Sequence, residues 1–550
     1  MPKTQSATRI LTRHFFRRFF DSDTVQVEGE TLTTVVRAIA IVAVPGLICA
    51  FFLQNQYPKR SLWGAIEDQY FFVLLSFVVM GTVAIFEWEM LFPDRSDFLI
   101  LTPLPLKPLK MFAAKTAALI AFLTIFLVSC NVFGSLILPA VSKGFFFRHL
   151  YAHGCAVLLA GAFAVLSFLA LGGLLLCLLG ATFFRVVSPI VQMSSITVLV
   201  LLMLQYMKYG DAIQAWLRAP LGIARWIPPL WFLGIYEHLL RASAAPPFAR
   251  EMAWYGVAAT LVSAAVVLLT YPMAWARMRR MAIEGNSRKR RQPLPCWTWL
   301  IHRVIKRPGE RAVFQFIGQT IARKNRYQVY LAMYCGSGLA LAIACAVQFR
   351  TTGQRPEPML SQVGLHAVMP LLLFWIIAGM RAAFAFPMDR SAGWVFRVTG
   401  VSVRECAAAG RRWALVCAWG MMCCILTALY LAGWDTRRLL AQLVCGLCLC
   451  TLLTDAFFAF DTSVPFNHPR MPGTKSLPLM LTLYVGVLPP LLFGLVRLEM
   501  HYERNLWDLV LLGFGVTALH LGLVRLQTGP EEVEEEMEGY EGEFQVLGLS

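Results

Sequence analysis

The sequence predicts an all-α, polytopic integral membrane protein of about twelve transmembrane helices in two six-helix halves, and three observations carry that prediction. Of 550 residues, 58% are apolar and only 15% charged, and the mean hydropathy is +0.61, a balance that does not belong to soluble domains. The apolar residues run continuously for about twenty positions at a time, the length a helix needs to cross about 30 Å of hydrocarbon. In lipid each backbone polar group must bond within its own segment, and the alternation of a barrel strand is absent, so the spans are expected to be helices. Finally, a polar loop near residue 95 is echoed near residue 390. Asp94-Arg95-Ser96 recurs as Asp389-Arg390-Ser391, and after a two-residue slip Thr102, Lys107 and Lys115 fall on Thr399, Arg404 and Arg412. Such an echo divides the chain into two related halves.

The elements follow in order. In residues 1–32 no cleavable signal is expected; Phe15, Phe16, Phe19 and Phe20 among Arg13, Arg17 and Arg18 predict a helix lying in the cytoplasmic interface. The first half, 33–276, is expected to cross at 33–54, 69–91, 112–140, 152–181, 186–208 and 252–275. Its long connection between the fifth and sixth spans contains ARWIPPLWFLGIYEHLL. Here Trp226, Trp231 and Tyr236 suit the headgroup level, and Pro228 and Pro229 interrupt a continuous helix, so an external re-entrant or interfacial element is expected. The connector 277–326 holds 14 basic residues against Glu284 and Glu310. In a loop between spans its RKRR run reads as contact with membrane lipids rather than with nucleic acid. Its later part, RAVFQFIGQTIARKNR, repeats the aromatic and basic mixture of the N-terminal segment.

The second half, 327–526, is expected to cross at 327–349, 360–385, 413–433, 439–460, 477–496 and 506–525. Residues 527–550 form an acidic tail with eight Glu between 531 and 543, expected to be disordered. With both termini cytoplasmic, inner segments carry 33 Lys and Arg and outer ones 15, in keeping with the positive-inside rule. A multi-pass protein of the cell inner membrane is therefore expected.

The motifs exclude more than they identify. No phosphate-binding loop occurs, since PGTKS at 472–476 lacks the leading glycine and its spacing. The spans are nearly free of charge, and Glu87, Glu89, Arg381 and Asp455 are expected to reach solvent near cytoplasmic ends. Asn131, Gln192 and Gln205 are the few polar residues available to a pathway. Most of the 14 cysteines lie inside apolar runs and are expected to be packing residues. No two of the nine histidines are expected at helical ligand spacing, and His366 and His520 read as satisfied core residues. No catalytic residue, cofactor or metal is expected, and the chain is not read as an enzyme.

One resemblance carries a function. A basic interfacial helix, a span, an external loop, a second span and then a cytoplasmic loop ending in a Lys at the third span resembles the membrane subunits of type-two ABC exporters. The loop residues carrying it are Asp97, Leu99, Leu101, Pro103, Leu104, Pro105 and Lys115. The resemblance implies a permease whose ATP is hydrolysed by a separate ABC ATPase subunit, bound in two copies. It also implies an ATPase-coupling loop holding Asp94, Arg95, Asp97, Pro103, Leu104, Pro105, Lys107 and Lys115. The second-half counterpart holds Asp389, Arg390, Trp394, Thr399, Arg404 and Arg412, but the Pro-Leu-Pro element there is Gly400-Val401-Ser402. The alternative is an ion-coupled secondary transporter of the major-facilitator type, also twelve spans in two halves. A membrane assembly protein without transport is a third.

Overall fold

A computed structural model describes residues 7–20, 31–57, 59–88, 107–179, 181–218, 222–283, 301–352, 355–385, 399–458, 465–466, 477–502 and 506–527. Its first-half helices are α1 (Ala7–Phe20), α2 (Thr31–Gln54), α3 (Leu62–Phe86), α4 (Pro108–Val141), α5 (Phe146–Leu178), α6 (Ala181–Arg218), α7 (Pro228–Arg241) and α8 (Pro247–Ile283). There follow α9 (Pro308–Arg323), α10 (Asn325–Ala346), α11 (Gln362–Ala385), α12 (Val403–Leu431), α13 (Thr436–Phe458), α14 (Leu477–Tyr502) and α15 (Leu506–Gln527). Every expected span coincides with one of these helices. Among the described residues ten helices are long and apolar enough to cross a bilayer, and α2 adds the shorter apolar stretch Val42–Gln54. The chain is an all-α, multi-pass membrane protein.

One connection departs from expectation. The seventh span was expected to reach residue 349, but α10 stops at Ala346 and the chain enters strand β1 (Val347–Thr352). Val347, Phe349, Thr351 and Thr352 favour extended backbone. Strand β2 (Arg355–Leu360) pairs with it antiparallel, Val347 opposite Leu360 and Thr352 opposite Arg355.

The described chain forms two compact units. One comprises Met1–Lys306, Gly318–Trp375 and Pro469–Leu492, and the other Arg307–Ile317, Ile376–His468 and Phe493–Ser550. In the first unit α3 is enclosed, with Val73, Leu74, Met80, Ala84 and Ile85 fully buried. Helices in hydrocarbon gain little from the hydrophobic effect, so close fit and interhelical hydrogen bonds set their packing. Ser76 Oγ donates to the Val157 carbonyl at 2.7 Å, and Asn131 Nδ2 donates to Ser76 Oγ at 2.9 Å. Asn131, a pathway candidate by sequence, thus ties α3, α4 and α5 together. In the second unit α13 packs against α12 and α15.

Candidate functional site

Helices α1 and α9 are each built from a mixed aromatic and basic sequence, and they dock on the openings of α4 and α12 respectively. On α1, Leu11, Phe15 and Phe19 recur every fourth residue and are buried. Phe19 stacks on Phe122 of α4 with ring centroids 5.1 Å apart, and Lys115 Nζ lies 5.5 Å from the Phe15 ring centroid. In the second unit Arg412 Nε lies 2.9 Å from Glu310 of α9, and Phe314 meets Trp413 edge-on at 4.8 Å. Lys115 and Arg412 are partners in the sequence echo. Lys115 thus makes a cationic contact with α1, and Arg412 makes one with α9. Glu310 is 3% exposed; burial raises its pKa, and Arg412 works against that rise.

The other predicted coupling residues divide between the described and undescribed parts. Lys107 is exposed at the N-cap of α4. Thr399 is exposed in a turn, and Arg404 is exposed in the first turn of α12. Asp94, Arg95, Asp97, Pro103, Leu104, Pro105, Asp389, Arg390 and Trp394 lie outside the described residues. Where the first loop has Pro-Leu-Pro, Gly400 takes φ +63, a conformation that glycine adopts without steric cost. Ser402 and Glu405 then form a capping box that starts α12.

At the opposite end of the first unit, the aromatic connection folds into a buried helix. The 3₁₀ turn Ile223–Trp226 leads through extended Ile227 into α7, with Pro228 and Pro229 in its first turn. Leu230, Phe232, Leu233, Tyr236 and Glu237 are fully buried against neighbours that include α3, α5 and α8. Trp226 remains 84% exposed, whereas Tyr236, expected at the headgroup level, is turned into the packed interior. Trp231 donates its indole N–H to the Arg225 carbonyl at 2.9 Å, and Arg148 Nε of α5 reaches the Leu239 carbonyl at 3.4 Å.

Three polar groups at this end were not singled out by sequence. Asp68 is fully buried and accepts from Tyr57 Oη at 3.1 Å, Arg60 Nε at 3.0 Å and Arg60 NH2 at 2.8 Å. The hydrogen bonds to Asp68 raise the Arg60 pKa. Glu237 pairs with Arg241 at 2.9 Å; burial pushes its carboxyl up to about 7, with Arg241 opposing the rise. His153 and Tyr236 meet edge-on with ring centroids 5.5 Å apart. Asp68 and Glu237 could have been found as carboxylates flanked by long apolar stretches, whereas the meeting of His153 with Tyr236 has no sequence signal.

Two expectations need correction. His149 and His153 stand four residues apart on α5, so two histidines do share helical ligand spacing. Their surroundings explain why spacing alone is insufficient: Arg148 and Arg241 lie in the electrostatic neighbourhood of His149, which disfavours a cation. No group of three His, Cys, Asp or Glu able to hold a metal occurs among the described residues. Glu87 and Asp455 were expected to reach solvent, but each is 4% exposed, and Asp455 pairs with His520 Nδ1 at 2.6 Å. Gln442 and Glu499, both buried, form a second polar link in that unit. A carboxylate inside packed spans is stabilised by a specific partner when water is out of reach.

No protein-family model, curated protein or solved structure matches this chain.

Proposed function

We propose that this chain is the permease of an ATP-driven ABC exporter in a bacterial inner membrane, with ATP hydrolysed by a separate subunit bound in two copies and both termini cytoplasmic. The observation that carries the reading is the repeated cationic contact at the third span, Lys115 with Phe15 and Arg412 with Glu310. A loop that receives force from a soluble partner needs a firm connection to the helices it moves. In each half that connection joins the interfacial helix to the span that follows the loop. The buried α7 stands where the sequence led us to expect a re-entrant element, between the fifth and sixth spans.

The test is copurification in mild detergent from the native host. A soluble ATP-binding protein is expected to accompany the chain, and the isolated chain is expected to hydrolyse no ATP. Hydrolysis by the chain alone overturns the reading. The Asp455–His520 pair favours a second reading, ion-coupled transport, because paired ionisable residues inside spans are a common basis of proton coupling. Proton-dependent uptake without nucleotide or ATPase would establish that alternative.

A further inference from the structure

The buried face of α6 carries Ser188, Gln192, Ile196 and Leu199, positions that follow helical spacing along one side. Its upper part is closed against α10 on one flank and against α3 on the other, where Gly81 faces Leu199. Thr197 Oγ1 lies 3.1 Å from the Gly336 carbonyl, and a Cβ on Gly336 would meet the Met193 carbonyl at 2.7 Å and Ile196 at 3.3 Å. One and two turns below Ile196, the face changes character. Gln192 and Ser188 are both 0% exposed, and among the described residues neither the Gln192 amide atoms nor the Ser188 hydroxyl has a hydrogen-bond partner. Pro189, between them, removes one helical hydrogen bond and gives α6 a point at which to bend.

An unsatisfied buried amide is costly, and polar groups inside a span are most readily retained where a polar partner reaches them in another state. There is no Asp, Glu, Lys or Arg between Arg185 and Lys208 on α6, or between Arg326 and Arg350 on α10. Between those basic residues the two helices offer this face groups that donate and accept hydrogen bonds but no charge of their own. We propose that Ser188 and Gln192 form a substrate subsite on this buried face of α6, which takes a neutral hydrogen-bonding group, a hydroxyl or amide, on an otherwise apolar cargo. The inference rests on the transport reading and names the class of its cargo.

The probes are N-ethylmaleimide, 1-dodecanol and dodecane, applied to the full chain in native membrane vesicles. A thiol reacts as the thiolate and so needs hydration, which predicts labelling of Ser188→Cys at least about tenfold faster than of Val198→Cys, 55% exposed on the opposite face. Dodecanol is expected to slow that labelling and dodecane to leave it unchanged; adding Gln192→Leu should abolish the protection. Labelling of Ser188→Cys no faster than that of Val198→Cys, or equal effects of alcohol and alkane, overturns the proposal. If the cysteine variant fails to insert, the unsubstituted protein supplies the same test: dodecanol should raise its thermal midpoint more than dodecane does, and Gln192→Leu should remove the difference. Equal shifts overturn the proposal. None of these measurements requires an ATPase, so their failure is distinguishable from absence of the proposed partner.

Discussion

Replacing Gly234 with alanine tests the packing of α7 most sharply, because two opposed effects of known size meet at one atom. In a helix interior, alanine is favoured over glycine by about 1 kcal/mol. At Gly234, however, a Cβ would clash with Met252 Cβ and would stand 2.8 Å from the Ala253 nitrogen and 2.9 Å from the Ala249 carbonyl. Two of these three contacts are backbone atoms of α8, and the third is fixed directly to that backbone, so no side-chain rotation relieves them. Overpacking of this kind costs about 1–3 kcal/mol. The clash therefore outweighs the propensity gain, and Gly234→Ala should lose about 1 kcal/mol net, with Gly234→Leu losing more. Gly154 on α5 is the control, since an added Cβ there has nothing within 4 Å; Gly154→Ala should gain up to about 1 kcal/mol. Thermal unfolding in one detergent, followed by tryptophan fluorescence, reads both variants. A midpoint that rises for Gly234→Ala as it does for Gly154→Ala would refute the close approach of α7 to α8.

Glu237 gives a pH prediction with a defined sign. Its carboxyl is raised from 4.5 to about 7 in the folded protein, so between those values the folded state holds a proton that the unfolded chain has released, and its stability contribution falls as pH rises. Glu237→Gln should flatten the thermal midpoint against pH across that window; an unchanged slope counts against the assignment. For the coupling loops, Leu104→Asp should weaken ATPase copurification more than Val401→Asp, provided both variants insert and melt normally. Equal retention of the partner, or loss only with Val401→Asp, would remove the first loop from its principal role. In a cysteine-free background, cysteines at Ser61 and Ser243 should react with an impermeant thiol reagent from outside and those at Ser96 and Ser287 should not. External labelling at Ser287 would overturn the two-half arrangement.

Helix type was determined by the sequence itself. Hydrocarbon permits few backbone solutions, and long apolar runs select the helix whatever its neighbours are. The aromatic and basic spacing of α1 likewise specified a face, and Leu11, Phe15 and Phe19 are buried on it. The echo of Lys115 in Arg412 was legible too, but only tertiary packing decided what each touches, because a ring and a carboxylate are different partners brought in by separate helices. The same limit applies to Asp455, for which the apolar run indicated a membrane position but could not supply His520, 65 residues away. Gln192 and Asn131 are both polar residues in apolar runs; α3 gives Asn131 a hydroxyl partner, while Gln192 has none. Local sequence sets the cost of placing a polar group in a span. Whether that cost is met depends on contacts between distant segments, which only the folded chain brings together.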